Sequence, residues 1–290
     1  MLHIKMMSLL LVRYAEVGLK SESVRNQFER ILVNNILDSF AKEGIECLVE
    51  RERGRIFVET RDIDRAIKCL KRIFGIASIS SVTSCSSELE EMRSFAVEYS
   101  APLLTQGSTF ALRVRRTGSH DYSSMDVARE LGAAILESHK DRAISVDLAS
   151  PDIEIFVEIR GSRAYFFSEY IPGPGGLPLG SQGKVLAIVN RERDVVAAWL
   201  MMKRGCRVIV LSDSRELIKI LEAWSPRLTI EQSGQVEQCV RKYRALAVVF
   251  GYGSSEMEEI KKVKLSVPAF FPLIGFDDQE VGKKFKEISA

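Results

Sequence analysis

The chain has 290 residues, 46% hydrophobic and 28% charged, a balance that suits two or three folded domains and excludes extended disorder. Its formal net charge of +2 gives no general attraction to a polyanion, so any nucleic-acid surface has to be a local cluster. No apolar run approaches the roughly 20 residues of a membrane helix, and residues 1–12 lack the cleavage pattern of a secretory signal. The five cysteines (Cys47, Cys69, Cys85, Cys206, Cys239) are scattered without a CxxC pair. They point to a reducing cytoplasm and offer neither a zinc site nor a disulfide framework.

Taken in order, MSLLLVRY at 7–14 predicts a first strand, and the apolar spacing of 21–40 predicts a helix. A hairpin around Arg53-Gly54 joins strands at 47–50 and 55–59, then come a helix at 62–74 and a strand at 76–82. This β-α-β-β-α-β order is the ferredoxin-like split arrangement. The pattern then changes. A helix at 88–104 precedes a strand at 108–116, in which Phe110, Leu112 and Val114 share one face and Arg113 and Arg115 the other. A loop (117–124), a helix (125–140), a short segment (145–148) and strands at 153–160 and 164–170 follow. Residues 172–183 hold five glycines and three prolines, which read as a turn-rich linker without helix or paired strand. From Val185 onward strands and helices alternate, which predicts a parallel sheet covered by helices.

Several stretches carry a family resemblance. GPGGLPLGSQGK at 173–184 and VVAAWLMMKRG at 195–205 flank the first strand and turn of the α/β region. RYAEVGLK stands at 13–20, with Arg25 and Phe28-Glu29 beyond it. LRVRR at 112–116 is followed by VDLASPDIEIFVEIR at 146–160. Together they resemble the tRNA 4-thiouridine synthetases, sulfurtransferases that modify uridine near the tRNA elbow. The resemblance implies an N-terminal ferredoxin-like domain (1–83), a THUMP RNA-binding domain (84–171), the Gly/Pro linker (172–183) and a shortened PP-loop-type α/β domain (184–290). It makes Arg13, Lys20 and Arg25 candidates for holding tRNA, with solvated surface charge as the alternative. In the THUMP region it singles out Arg113, Arg115 and Arg116 as a basic ridge, because guanidinium groups grip phosphate and stack on bases. His120 and Tyr122 are added as a hydrogen-bonding or stacking surface. One departure is Asp126, where the family usually has Glu.

The family's ATP chemistry is implied to need a PP-loop, Ser-Gly-Gly-Xaa-Asp-Ser, whose glycines let backbone amides close around pyrophosphate. Here those six positions fall without a gap on Val189, Asn190, Arg191, Glu192, Arg193 and Asp194, and none matches. Asn190 is expected as the helix N-cap, with Glu192 in the first turn. Arg191 and Arg193 then oppose the helix dipole by roughly 0.3–1 kcal/mol each, which an RNA phosphate would offset and solvation would also relieve. Phe250-Gly251-Tyr252-Gly253 replaces the usual Thr-Gly-Glu-Ser. Phe271 takes the Arg position of FPLIGFDDQEV, and neither the family's catalytic-Cys segment nor a rhodanese domain follows.

The expectation is a cytoplasmic tRNA-binding relative without its own sulfur transfer, needing no cofactor, no metal and no membrane. A separate modifying enzyme, a sulfur carrier and a homodimer stay open as partners. The alternative is an active tRNA sulfurtransferase that uses ATP through a non-standard site or a partner protein. Cys206 and Cys239 would be its only thiols in the last domain, and packing suits both better. A THUMP-linked methyltransferase is set aside, since no glycine-rich methyl-donor loop is present.

Overall fold

The computed structural model describes residues 8–14, 16–52 and 54–290. Met7, Ala15 and Arg53, which the sequence reading places in the first strand, the RYAEVGLK stretch and the hairpin, lie outside them. The described strands are β1 (Ser8–Arg13), β2 (Cys47–Glu52), β3 (Arg55–Thr60), β4 (Ser78–Ser86), β5 (Thr109–Thr117), β6 (Ser145–Val146), β7 (Ile153–Arg160), β8 (Arg163–Phe167), β9 (Ile171–Pro172), β10 (Lys184–Ile188), β11 (Arg207–Leu211), β12 (Thr229–Glu231), β13 (Val248–Val249) and β14 (Ala269–Phe270). The helices are α1 (Glu22–Glu43), α2 (Ile63–Leu70), α3 (Leu89–Ser100), α4 (Ser124–Ser138), α5 (Glu192–Lys203), α6 (Arg215–Glu222), α7 (Val236–Tyr243), α8 (Met257–Lys262) and α9 (Asp278–Ser289). Two compact units result. One takes residues 80–171 with 8–11, the other 12–79 with 172–290, and the line between them runs through β1 and β4.

In the first unit the strands follow the order β4-β8-β7-β5-β6. β5 pairs in parallel with β7 and β6, whereas β8 is antiparallel to both β7 and β4. Alternation decides which face is covered. Phe110 and Leu112 of β5, Ile155, Val157 and Ile159 of β7, and Phe166 of β8 turn one way and pack against Met92 and Ala96 of α3 and Val127, Leu131 and Ile135 of α4. The opposite face carries Arg113, Arg115, Phe156 and Phe167. Helix α4 begins on a reciprocal cap: Ser123 Oγ accepts from the Asp126 N–H, and the Asp126 carboxylate accepts from the Ser123 N–H. Asp126 thus makes the bond that Glu makes in a capping box, so the departure from the family pattern is structurally neutral.

The second unit contains a five-stranded parallel sheet in the order β12-β11-β10-β13-β14. Its apolar strands, buried on both faces, match the near-continuous hydrophobic runs of the sequence. Val185, Ala187, Val208 and Val210 pack under Val195, Val196, Trp199 and Met202 of α5, with α6 and α9 beside it. Leu186, Ile209 and Val248 face α7 on the other side. The order runs outward from β10 to β11 and β12, then returns to β13 and β14. Such a reversal opens a crevice beyond the carboxyl ends of β10 and β13, where doubly wound folds place their ligands.

The Gly/Pro stretch is turn-rich from Gly173 to Gly183, but Pro172 takes part in a short strand. The Gly175 N–H donates to the Ile76 carbonyl and its own carbonyl accepts from Gly75, Gly173 donates to Ala77, and Leu177 donates to Lys203. Gly180 and Gln182 both donate to the Gly205 carbonyl. The stretch is a strap, stitched at one end to 75–77 and at the other to the C-terminus of α5. Gly176 shows why glycine is needed there: its φ is +75°, and a Cβ would come within 2.2 Å of the Lys203 carbonyl oxygen. Gly175, at φ +66°, has open space around the same position. Gly176→Ala should therefore destabilise the protein by about 2–4 kcal/mol and Gly175→Ala by only about 1–2, as read by chemical denaturation. Equal effects would show that the strap is not tightly held.

Candidate functional site

The crevice beyond β10 and β13 is the place to look for nucleotide chemistry, and it is filled from within. Val189 is buried and continues β10, its N–H donating to Leu211. The N-cap of α5 is Arg191, not Asn190 as the sequence suggests, because Asp194 in the first turn draws the chain into register. Asp194 is 5% exposed, and its Oδ2 accepts from the backbone N–H groups of both Asn190 (3.1 Å) and Arg191 (2.9 Å). An anion at a helix N-terminus uses such amides. Here a side-chain carboxylate already holds them.

A second carboxylate completes the closure. Glu256 Oε1 accepts from Arg191 Nη1 at 2.9 Å, while its Oε2 accepts from the Gly253 N–H at 2.9 Å and pairs with Arg193 at 3.1 Å. Arg191 also reaches Asp194 at 3.4 Å, and Arg193 lies 3.8 Å from Asp278. Glu256 and Asp194 thus pair both arginines, with Arg191 still 46% exposed at its side chain and Arg193 19%. Burial raises the Glu256 pKa, but hydrogen bonds from Arg191 and the Gly253 N–H, with the charges of Arg193 and Arg191, outweigh it and hold the carboxyl below its ordinary range.

The aromatic replacements finish the packing. Phe250, Tyr252 and Phe271 stack with centroids 5.4 Å (Phe250–Tyr252) and 5.7 Å (Phe250–Phe271) apart, and the Arg191 guanidinium lies 5.6 Å over Tyr252. Gly251 survives between them for want of room: a Cβ there would sit 2.2 Å from Asp194 Oδ1. Of the cysteines in this unit, Cys206 and Cys239 are buried and Cys47 and Cys69 half-buried, and burial pushes the thiols of Cys47, Cys69 and Cys206 up. Among the described residues no group of His, Cys, Asp and Glu could hold a metal ion.

The expected RNA-contacting residues divide. Arg13 on β1 is 7% exposed and not the surface cation the sequence suggests. Lys20 is exposed, and Arg25 of α1 is half-buried. Nearby, the Tyr14 hydroxyl donates to buried Glu29, which also pairs with Arg51 at 3.3 Å; burial first, then Glu29, pushes the phenol well above its ordinary pKa.

On the THUMP-like face the ridge is shorter than three arginines. Arg113 Nε donates to Glu154 at 2.8 Å and its Nη2 to the Leu148 carbonyl at 2.9 Å. Arg115 and Arg116 are exposed, and Arg116 donates at 3.4 Å to the His120 carbonyl. Tyr122 donates its hydroxyl to the Ser87 carbonyl at 2.6 Å and packs on the core, and the His120 ring, stacked on Tyr122, bonds the Gly161 carbonyl at 2.8 Å through Nε2. Both side chains secure the loop. Sequence reasoning missed the aromatic component: Phe156, Phe167 and Tyr170 line a shallow cavity of about 590 Å³ with Arg113, Arg115 and Met125. The signal was present in the alternation of β7, which puts Phe156 beside Arg113 across the β5–β7 ladder.

The first unit thus carries a sheet face that is basic and aromatic, and the second a parallel sheet covered by helices. Residues 86–169 match the THUMP domain family, and residues 9–80 match the ThiI ferredoxin-like domain family. A Saccharolobus islandicus protein named "Probable tRNA sulfurtransferase" is 32% identical over 324 residues, covering 95% of this chain and 84% of that protein. The chain belongs to the tRNA sulfurtransferase family. A Methanobrevibacter smithii protein of the same name is 41% identical over 207 residues, 69% of this chain and 52% of its own length, so the match spans about half of that relative. Among solved structures, a 4-thiouridine synthetase determined as an RNA complex with bound ATP superposes with a TM-score of 0.76 at 23% identity, covering 98% of this chain and 85% of that one; this shows a shared fold.

The Glu256 network gives a pH test. A carboxyl with a lowered folded pKa adds stability above its unfolded pKa, and that stability is lost as pH falls through the folded value. Glu256→Gln should destabilise by roughly 1–3 kcal/mol at pH 7, and the difference from the parent should shrink below about pH 4.5. A difference independent of pH would mean that the carboxylate charge is not what holds the loop.

Proposed function

We propose that this protein binds tRNA through its THUMP-like unit and does not carry out the ATP-dependent sulfur transfer of its relatives. The observation that carries this reading is the occupied crevice: Asp194 holds the Asn190 and Arg191 amides just ahead of α5, and Glu256 pairs with the arginines where phosphate would rest. A pyrophosphate placed there would meet two carboxylates and lose its backbone donors. Binding of RNA is supported by the THUMP match, by exposed Arg115 and Arg116, and by the aromatic cavity next to them. Tyr170, the exposed ring of that cavity, offers a base a stacking surface while guanidinium groups hold the backbone.

The test is to measure nucleotide and RNA binding on one sample. Calorimetry should show no ATP binding below millimolar concentration, with or without an unmodified tRNA transcript. The same transcript should bind, with affinity falling steeply as salt rises. Replacing Arg115 and Arg116 by Ala should weaken it severalfold and flatten the logarithmic salt slope by up to about 2. Micromolar ATP binding, or 4-thiouridine formed by the protein alone, would return it to the enzymes. Failure to bind tRNA would remove the RNA half of the reading.

A further inference from the structure

The second unit carries a cationic cleft that neither the sequence reading nor the proposed THUMP contact uses. It has a volume of about 950 Å³, and Lys42, Arg65, Lys68, Lys71, Arg72 and Lys219 line it. These come from α1, α2 and the turn after it, and α6, elements far apart in sequence that the fold brings to one opening. Three carboxylates also line it, Glu43, Glu222 and Glu287, and Glu287 is paired with Lys284 at 2.5 Å. Six cations to three carboxylates departs from the chain's near-even 41 to 39.

Which of these cations are already employed decides what the cleft can do. Arg65 pairs with Asp62 at 2.9 Å, Lys42 donates to the Glu222 carbonyl at 3.2 Å, and Arg72 donates to the Ala290 carbonyl at 3.2 Å. Lys68, Lys71 and Lys219 are exposed, and their side chains make no hydrogen bond or ion pair among the described residues. Unpaired ammonium groups in one cleft repel each other, and an anion between them would offset that repulsion. The placement of the six cations on three helices and a turn, around an opening of about 950 Å³, suits a chain of phosphates better than a single small anion. Lysine supplies point-charge contacts without base preference, the kind that positions a nucleic acid by its backbone.

We propose that this cleft is a second tRNA contact, in which Lys68, Lys71 and Lys219 neutralise phosphates of the RNA backbone. It rests on the tRNA-binding reading above and adds a surface to it. The RNA held there would be recognised by charge and shape, with sequence read elsewhere.

The experiment uses the full chain, an unmodified tRNA transcript and fluorescence anisotropy between 50 and 300 mM KCl. The Lys68→Ala, Lys71→Ala, Lys219→Ala triple variant should lose on the order of tenfold in affinity at 100 mM salt, with a salt slope smaller by about 2 to 3. A Lys→Arg triple at the same positions should keep both, and it also guards against a folding artefact in the Ala triple. If the parent binds and the Ala triple matches it in affinity and slope, the cleft is overturned while the tRNA reading stands. If the Arg triple loses as much as the Ala triple, charge is not the cause and the cleft contact is likewise overturned. If the parent fails to bind tRNA at all, both fall together.

Discussion

The carboxylate of Asp194 at the head of α5 is the contact on which the α/β unit depends. Without it the Asn190 and Arg191 amides would point into the crevice as unsatisfied donors, at the end of a helix whose dipole already favours negative charge. With it the loop closes on itself, Gly251 can pass within contact of Asp194, and the Phe250–Tyr252–Phe271 stack has a surface to lie against. Glu256 extends the same logic to Arg191 and Arg193. Two backbone donors ahead of the helix are satisfied by one of its own side chains.

Much of this architecture was legible in the sequence because the periodicities are strong. β7 and β11 fall at 153–160 and 207–211 as the apolar patterns require. The turn-rich reading of 172–183 missed the strap's close contacts for a physical reason. Composition shows that no regular element can form there, but it does not show that glycine permits close approach to a neighbouring backbone. Only the Gly176–Lys203 contact reveals that.

The candidate site was less legible, since sequence shows which charges exist but not which charges meet. The conserved-looking words of the THUMP-like unit turn out to be largely internal bonds. Asp147 accepts from the N–H groups of Ala149 and Ser150, Asp152 ties Thr109, Glu154 holds Arg113, and Glu158 pairs with buried Arg160. These bonds also lower the Asp147 and Asp152 pKa values. Much of what reads as an RNA-binding motif is therefore the scaffold that holds β5 beside β7, and Arg115 and Arg116 are what it presents. In the same way Arg191 and Arg193 look anion-seeking until Glu256, more than sixty positions away, is found between them.

The central claim is that Asp194 and Glu256 stand where an anion would otherwise bind, and anion rescue tests it most directly. Melting temperatures should be compared with and without millimolar inorganic pyrophosphate, at ionic strength matched with chloride, for the parent and for the Asp194→Ala, Glu256→Ala double variant. The parent should be indifferent to pyrophosphate, and the destabilised variant should regain several degrees as the added anion occupies the vacated amides and arginines. Stabilisation of the parent itself, or a double variant that pyrophosphate leaves unchanged, would contradict the account.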